Sequence, residues 1–249
     1  MERAALPRRL TWQLATVVEL VEETARTKSI ALELEGWSGH RAGQHVDVRL
    51  TAEDGYQAQR SYSIASAPED DKLVLTVERL DDGEVSPYLV DELRPGDRLE
   101  LRGPIGGYFV WEAALGGPLL LLAGGSGVVP LRSILRHHQA IESTVPVRLL
   151  YSARSPAEVI YRRELAGVAA DGAVDIRYTL TREQPEGWQG YGRRIDRELL
   201  GEVAWPWIER PLVYACGPTA FVETAASALV ALGHEPGRIR LERFGPTGG

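Results

Sequence analysis

Seven consecutive residues, Gln59–Ala65, combine a cation, a phenol ring and serine hydroxyls in one short stretch. Large and small side chains alternate, which predicts one β-strand with Arg60, Tyr62 and Ile64 on the same face. A guanidinium can clamp phosphate oxygens, a phenol can stack on a ring, and a hydroxyl can bond a ring nitrogen. The stretch therefore suits a planar ring that carries a phosphate tail. A plain sheet strand with one exposed arginine is the alternative.

A second candidate site is Gly83–Ser86, which Pro87 follows. Serine at a helix N-cap and proline at the first helical position predict that a short helix begins here. Free N–H groups at the helix start would attract an anion, and Gly83 would let the anion approach the backbone closely. A capped helical turn without any ligand explains the same residues equally well.

The third candidate site follows Leu119–Ala123, a continuous apolar run that is typical of a strand buried on both faces. The run leads directly into Gly124–Pro130 and then into an amphipathic helix. Strand, glycine turn and helix in this order are typical of a site for a nucleotide pyrophosphate. The predicted contacts in the turn are Gly125, Ser126, Gly127 and Pro130.

The elements that position these residues fall into two groups. Residues 1–116 contain six predicted strands separated by turn residues, at Thr11–Val21, Lys28–Leu34, Gln44–Leu50, Gln59–Ala65, Leu73–Leu80 and Arg98–Leu101. This spacing predicts an antiparallel six-stranded β-barrel. Residues 117–249 alternate strands with helices, which predicts a doubly wound α/β domain. Its further predicted elements are Val147–Tyr151, Tyr161–Ala170, Val174–Tyr178, Leu212–Ala215, Thr219–Leu232 and Arg238–Leu241.

The composition is that of an ordinary globular protein, with 249 residues, 44% hydrophobic and 25% charged, and a formal net charge of −7. Residues 1–116 carry 13 basic and 21 acidic side chains, whereas residues 117–249 carry 15 and 14. All 15 basic residues of the second part are arginines, which suit phosphate contacts but are also common in arginine-rich genomes. The acidic first part would repel phosphate, so we expect no binding to nucleic acid.

The single cysteine, Cys216, excludes a disulfide framework and an iron–sulfur cluster held by four thiolates of this sequence. Cys216, Gly217 and Pro218 follow a predicted strand at the edge where such sheets bind ligands, although a buried structural cysteine is the alternative. No metal site is expected. Met1–Trp12 has no apolar core of signal-peptide length, and no run is long enough to span a bilayer, so we expect a cytoplasmic protein.

Together, the Arg-x-Tyr-Ser strand, Gly83-x-x-Ser86, the glycine turn and Cys216-Gly217-Pro218 resemble, in order and spacing, the ferredoxin-NADP reductase superfamily. The resemblance implies FAD on the barrel, with Arg60 at its phosphates, Tyr62 and Ser63 at the isoalloxazine ring, and Gly83–Ser86 at the pyrophosphate. The full set of expected flavin contacts is Arg60, Ser61, Tyr62, Ser63, Thr76, Val77, Gly83, Val85 and Ser86.

The end of the chain, Glu242-Arg243-Phe244, resembles the carboxylate-x-aromatic ending of the plant-type reductases, in which the aromatic ring covers the flavin. The usual aromatic there is a tyrosine, and here Gly245–Gly249 follow it. A core residue that anchors the last strand is the alternative for Phe244. The residues expected at the reacting rings are Ser63, Cys216, Glu242 and Phe244.

The resemblance also concerns the choice of nucleotide. Arg154, Thr181, Arg182 and Arg193 fall where relatives that prefer NADPH hold the 2′-phosphate, and Gly192 precedes the last of them. We therefore expect NADPH as the substrate, with NADH possible. Solvated surface arginines are the alternative.

The sequence thus predicts a monomeric, flavin-dependent reductase that takes a hydride from NADPH and passes electrons singly to a separate partner such as a ferredoxin or a flavodoxin. Relatives that carry a plant-type iron–sulfur domain on the same sequence are excluded by the cysteine count. One rival is an NADH-dependent reductase component of an oxygenase. A rival from another class is a non-catalytic module that binds a flavin or a nucleotide.

Overall fold

The computed structural model describes residues 10–245, so predictions for the first nine and the last four residues lie outside it. The first part of the chain forms one antiparallel sheet of six strands. The strands are β1 Gln13–Thr24, β2 Thr27–Leu34, β3 His45–Thr51, β4 Gln57–Ser63, β5 Leu73–Glu78 and β6 Arg98–Ile105. They lie in the order β4-β3-β6-β1-β2-β5. A bridge between Ile64 and Leu75 joins the two edges, which confirms the predicted barrel.

The barrel closes around alternate apolar side chains. In β2 and β3, for example, Ile30, Leu32, Val46 and Val48 are buried in one core cluster. Alternation with period two is what a strand with one buried face requires. The predicted strands lie within a few residues of the observed ones. The largest difference is in β6, which continues past the predicted end at Leu101 because Ile105 still pairs with β3.

The second part forms a parallel sheet of five strands, with helices packed on both faces. The strands are β7 Leu119–Gly124, β8 Val147–Ala153, β9 Asp175–Leu180, β10 Leu212–Pro218 and β11 Ile239–Phe244. The α-helices are α1 Val128–Ala140, α2 Arg162–Ala170, α3 Arg197–Val203 and α4 Thr219–Ala231. The strand order β11-β10-β7-β8-β9 is that of a doubly wound sheet, as predicted.

The leucines of β7 show why this sheet needs helices on both sides. Leu119 and Leu121 pack in a cluster with α1 and α2, while Leu120 and Leu122 pack in another cluster with α3 and α4. All four side chains are fully buried. Helix α3 was not predicted because seven residues are too few for a clear periodic pattern; in the structure Asp196 caps it by accepting from the Leu199 N–H at 2.8 Å.

The two sheets share a packed interface, and α1 supplies much of it. Arg132 Nη1 donates to the carbonyl of Ala65 at 3.1 Å, and Ser133 Oγ donates to the carbonyl of Ser66 at 2.6 Å. From the loop before α2, the buried Tyr161 hydroxyl donates to Thr76 Oγ1 at 2.5 Å. These contacts hold Ala65 and Ser66, which follow β4, and Thr76 on β5 against the part of the chain that forms the parallel sheet.

The longest helices within residues 10–245 have 13 residues, and none of the helices there is both long enough and apolar enough to cross a membrane.

Candidate active site

The two sheets meet where β4 ends and where β10 and β11 reach their carboxyl ends. Ser63, the last residue of β4, donates its hydroxyl hydrogen to Glu242 Oε1 at 3.0 Å. Glu242 lies beside Cys216 in the parallel pairing of β11 with β10. The fold therefore gathers three of the four residues expected at the reacting rings, although they lie far apart in the sequence.

The electrostatics of this cluster come from burial. Loss of solvent raises the pKa of the Glu242 carboxyl, and the hydrogen bond from Ser63 opposes that rise. Burial also raises the pKa of the Cys216 thiol well above its ordinary value, and the Glu242 charge adds to the effect. The thiol is consequently protonated at neutral pH and acts as a compact neutral group rather than as a nucleophile.

Phe244, the fourth of these residues, lies at the end of β11 opposite Pro218 in the strand pairing. Side chains two residues apart on a strand share a face, so Phe244 projects on the same side as Glu242. The residue is 36% exposed. Its ring can therefore be covered or displaced, and stacking over a flavin remains a prediction.

The predicted phosphate and ring contacts on β4 differ in their surroundings. Arg60 is exposed, and its guanidinium forms an ion pair with Glu84 at 2.6 Å. Tyr62 packs against the barrel core, and burial raises the pKa of its phenol, which stays protonated as a donor. The Ser61 hydroxyl, however, donates to Asp47 at 2.6 Å, and Asp47 also binds Arg102. The Ser61 hydroxyl thus belongs to an ion-pair network of the barrel, and its contact with a flavin stays a prediction.

Three other predicted flavin contacts do not present their side chains to a ligand. Val77 and Val85 are fully buried in the barrel core. Strand alternation turns Val77 inward, and the segment Gly83–Ser86 places Val85 in the same core cluster. The Thr76 hydroxyl is taken up at the interface by Tyr161 and Ser29. None of the three side chains is free for a flavin, and contacts through their backbone stay a prediction.

The segment Gly83–Ser86 forms a tight loop rather than the predicted cap. Ser86 Oγ accepts from the Leu80 N–H at 3.0 Å, and the following helical turn, Tyr88–Glu92, has no side-chain cap. A Cβ at Gly83 would lie 2.9 Å from Ser86 Oγ, so glycine is needed for the loop itself. The prediction of an N-cap was therefore wrong, while a phosphate contact by the loop backbone remains a prediction.

The glycine turn after β7 lies directly against the end of β10. A Cβ at Gly127 would overlap the carbonyl oxygen of Cys216, so only glycine allows this contact. Gly125 has φ +55° and no atom within 4 Å of its Cβ position, which leaves its outer side open together with the half-exposed Ser126. Pro130 is buried in the first turn of α1, and its contact with a nucleotide stays a prediction.

Phe221, at the start of α4, is not among the site residues predicted from the sequence. Its ring lies between Gly124 and Gly217, at 2.9 Å from the Cβ position of each. These two glycines end the adjacent strands β7 and β10, where helices leave the sheet on opposite faces, and ligands bind such sheets at this point. The signal in the sequence was an aromatic residue three positions after Pro218.

The four residues expected at a 2′-phosphate separate into two groups. Thr181 and Arg182 follow β9, and the Arg182 N–H donates to the carbonyl of Arg154 at 2.9 Å, so three of them adjoin at the carboxyl edge of the sheet. Arg193 instead forms ion pairs with Asp196, Glu198 and Glu202 at 3.4, 2.7 and 3.4 Å. These ion pairs already compensate the charge of Arg193, and its contact with a 2′-phosphate stays a prediction.

The residues at the junction fit a flavin. Strand β4 carries an exposed cation, a protonated phenol and a serine hydroxyl, which offer donors for phosphate oxygens and ring nitrogens. The ion pair of Arg60 with Glu84 shows that this guanidinium accepts an anionic oxygen as its partner.

Comparisons with known proteins agree with this fit. Residues 14–110 match the oxidoreductase FAD-binding domain, and residues 121–227 match the oxidoreductase NAD-binding domain.

Two relatives are reductases of monooxygenases. The chain is 30% identical over 246 residues to the glycine betaine monooxygenase reductase subunit of Pseudomonas aeruginosa, with coverage of 95% of this chain and 66% of that protein. It is 31% identical over 242 residues to the ferredoxin reductase component of 3-ketosteroid-9-alpha-monooxygenase from Mycobacterium tuberculosis, with coverage of 92% and 64%. The chain thus spans slightly less than two thirds of the length of each.

A solved structure matches over nearly its whole length. The FAD/NAD-binding domain of nitric oxide dioxygenase from Vibrio cholerae superposes with a TM-score of 0.83 at 27% identity, with coverage of 94% of this chain and 99% of that chain. The FAD-binding match precedes the NAD-binding match along the chain, and together they cover most of it. The chain belongs to the ferredoxin-NADP reductase superfamily of FAD-dependent NAD(P)H oxidoreductases.

Proposed function

We propose that this chain is the reductase of a multi-protein redox system of the oxygenase type, in which it oxidises a reduced nicotinamide nucleotide and reduces a separate electron-acceptor protein. The observation that carries the proposal is the cluster of Ser63, Cys216 and Glu242 at the junction of the two domains. The names of the two monooxygenase reductases support the oxygenase-type partner. In this proposal residues 1–116 hold FAD and residues 117–249 hold the nucleotide.

The flavin, when bound, supplies the exchange between a hydride and single electrons. Ser63 Oγ carries a hydrogen that it donates to Glu242 here and that it can donate to a ring nitrogen instead. Glu242, with its raised pKa, can accept or return a proton at that hydroxyl. The neutral thiol of Cys216 gives the nicotinamide a small apolar neighbour without adding charge.

For the nucleotide we infer NADPH, with Arg154 and Arg182 as the groups that bind the 2′-phosphate. The two arginines adjoin at the carboxyl edge of the sheet, and both are exposed. Charge-assisted hydrogen bonds to phosphate are worth about 1.5–3 kcal/mol each before the cost of desolvation. We propose that a separate protein, such as a ferredoxin or a flavodoxin, accepts the electrons.

NADH is the second candidate, and one observation favours it. Arg193 is neutralised by three carboxylates, and Glu158 lies 3.9 Å from Arg154, so fewer cations are free for a phosphate than the sequence suggested.

The experiment compares kcat/KM for NADPH and NADH with an artificial one-electron acceptor, after the flavin released on denaturation has been identified by chromatography. Arg182→Ala should lower the NADPH value about tenfold and leave the NADH value unchanged. Arg193→Ala is the matched control and should change neither. Equal efficiencies for both nucleotides would contradict the preference for NADPH, and a higher efficiency with NADH would favour NADH. A protein that releases no flavin would contradict the proposal as a whole.

A further inference from the structure

The guanidinium of Arg60 already has an anionic partner inside the protein. Its Nη2 donates to Glu84 Oε2 at 2.6 Å, and its Nη1 donates to the carbonyl of Gln59 at 2.7 Å. Both terminal nitrogens are therefore engaged. Each terminal nitrogen keeps a second N–H and Nε keeps one, so a phosphate oxygen takes the place of Glu84 where it binds through the N–H that Glu84 now accepts.

Glu84 is held in front of Arg60 by a third residue. The Tyr56 hydroxyl, on the hairpin between β3 and β4, donates to Glu84 Oε1 at 2.7 Å. Each carboxylate oxygen thus has its own donor. The hydrogen bonds from Tyr56 and Arg60 lower the pKa of Glu84, so this side chain is an anion at neutral pH.

The position of Glu84 in the chain gives the contact its significance. It lies inside the loop Gly83–Ser86, beside the strand residue that is proposed to bind the flavin phosphates. A carboxylate and a phosphate offer the same kind of acceptor to a guanidinium, and the two anions repel each other at short range. They cannot both use the same edge of Arg60.

We propose that Glu84 is an internal counter-ion of the flavin-phosphate site, which is exchanged for a phosphate of FAD when FAD binds and thereby limits the affinity for FAD. This inference rests on the proposed function of Arg60. After the exchange Arg60 has the phosphate as its acceptor, and Glu84 keeps the Tyr56 hydroxyl as its donor. Neither charged group is left without a partner, so the exchange is reversible.

The test is a titration of the full-length flavin-free protein with FAD, followed by the quenching of flavin fluorescence. Glu84→Gln keeps the shape of the side chain and removes its charge. We expect the dissociation constant for FAD to fall about two- to fivefold, the range expected for loss of an exposed ion pair. Glu53→Gln, on the hairpin that carries Tyr56, removes one charge from a residue that forms no ion pair with Arg60, and it should leave the constant unchanged.

A double-mutant cycle separates competition for Arg60 from simple repulsion. Arg60→Ala should weaken FAD binding, and Glu84→Gln should then have no further effect in the Arg60→Ala background. Tightening of the same size in that background would show that Glu84 acts only through its charge, and this would overturn the inference. So would an unchanged or weaker affinity in the single variant.

The wild-type titration separates this inference from the function on which it rests. Wild-type protein that binds no FAD would contradict the proposed function and the inference together. Wild-type protein that binds FAD with the same affinity as Glu84→Gln would contradict the inference alone. Thermal unfolding of each variant, with a midpoint equal to that of the wild type, shows that the exposed substitutions leave the fold intact.

Discussion

Replacing Phe244 with serine should tighten the binding of the oxidised nicotinamide nucleotide and slow its release. Phe244 shares a face of β11 with Glu242, which reaches Ser63 at the end of β4. On this geometry the ring competes with the nicotinamide for the space above the proposed flavin position. Removal of the ring removes the competitor, so the nucleotide binds without first displacing it.

The size of the effect follows from the value of one stacked ring. Such a contact is worth about 0.5–1.5 kcal/mol beyond its buried area. Phe244 is 36% exposed, so part of its ring is accessible to a ligand. A factor of ten corresponds to about 1.4 kcal/mol, so the affinity should rise about two- to twelvefold.

The assay measures the dissociation constant of the oxidised nucleotide, the long-wavelength charge-transfer absorbance and kcat. The variant should show tighter binding, a stronger band and a lower kcat, because release of the nucleotide becomes slower. Ile208→Ser is the control, since Ile208 is an exposed apolar residue before β10, at the opposite end of that strand. A lower melting temperature with unchanged affinity and absorbance would show that Phe244 only anchors the last strand, and the reasoning would fail.

Three further predictions concern the junction. Burial raises the pKa of Glu242 in the folded protein, so ionising this carboxyl costs stability once the pH exceeds the pKa of the unfolded state, about 4.5. Glu242→Gln should therefore raise the melting temperature at about pH 7 and leave it nearly unchanged at about pH 4. An equal shift at both pH values would contradict the burial argument. Gly127→Ala places a Cβ on the carbonyl of Cys216 and should cost about 1–3 kcal/mol in chemical denaturation, whereas a cost below about 0.5 kcal/mol would show that the turn can move. Tyr161→Phe removes the buried bond to Thr76, should cost about 0.5–1.5 kcal/mol, and should lower the melting temperature by a few degrees in calorimetry; an unchanged midpoint would refute the importance of this contact.

Much of the fold could be predicted because its signals are local. Alternation in β2 and β3 and the continuous apolar run of β7 depend on which face of each strand is buried, and the pattern records that directly. Seven-residue α3 lacked such a signal, because a helix this short is stabilised by its packing against β7 and α4 more than by its own pattern.

The candidate site could be predicted only in part. The resemblance to the ferredoxin-NADP reductases named Ser63, Cys216 and Glu242 together, and the fold brings Ser63 at the end of β4 to Glu242, which pairs beside Cys216. Side-chain direction could not be predicted in the same way. Val85 turned into the core, and Arg193 met carboxylates from a helix that the pattern did not show.

What the sequence determined by itself was the two-domain architecture and the kinds of chemical groups that it carries, since periodicity and glycine turns act over a few residues. What the tertiary structure decided was which of those groups are free to bind a ligand. Arg60 illustrates the difference: the sequence shows a cation on a strand, and only the fold brings the Glu84 carboxylate from a distant loop to within 2.6 Å of it. Pairing of this kind depends on through-space distance, which the linear pattern of a chain does not contain.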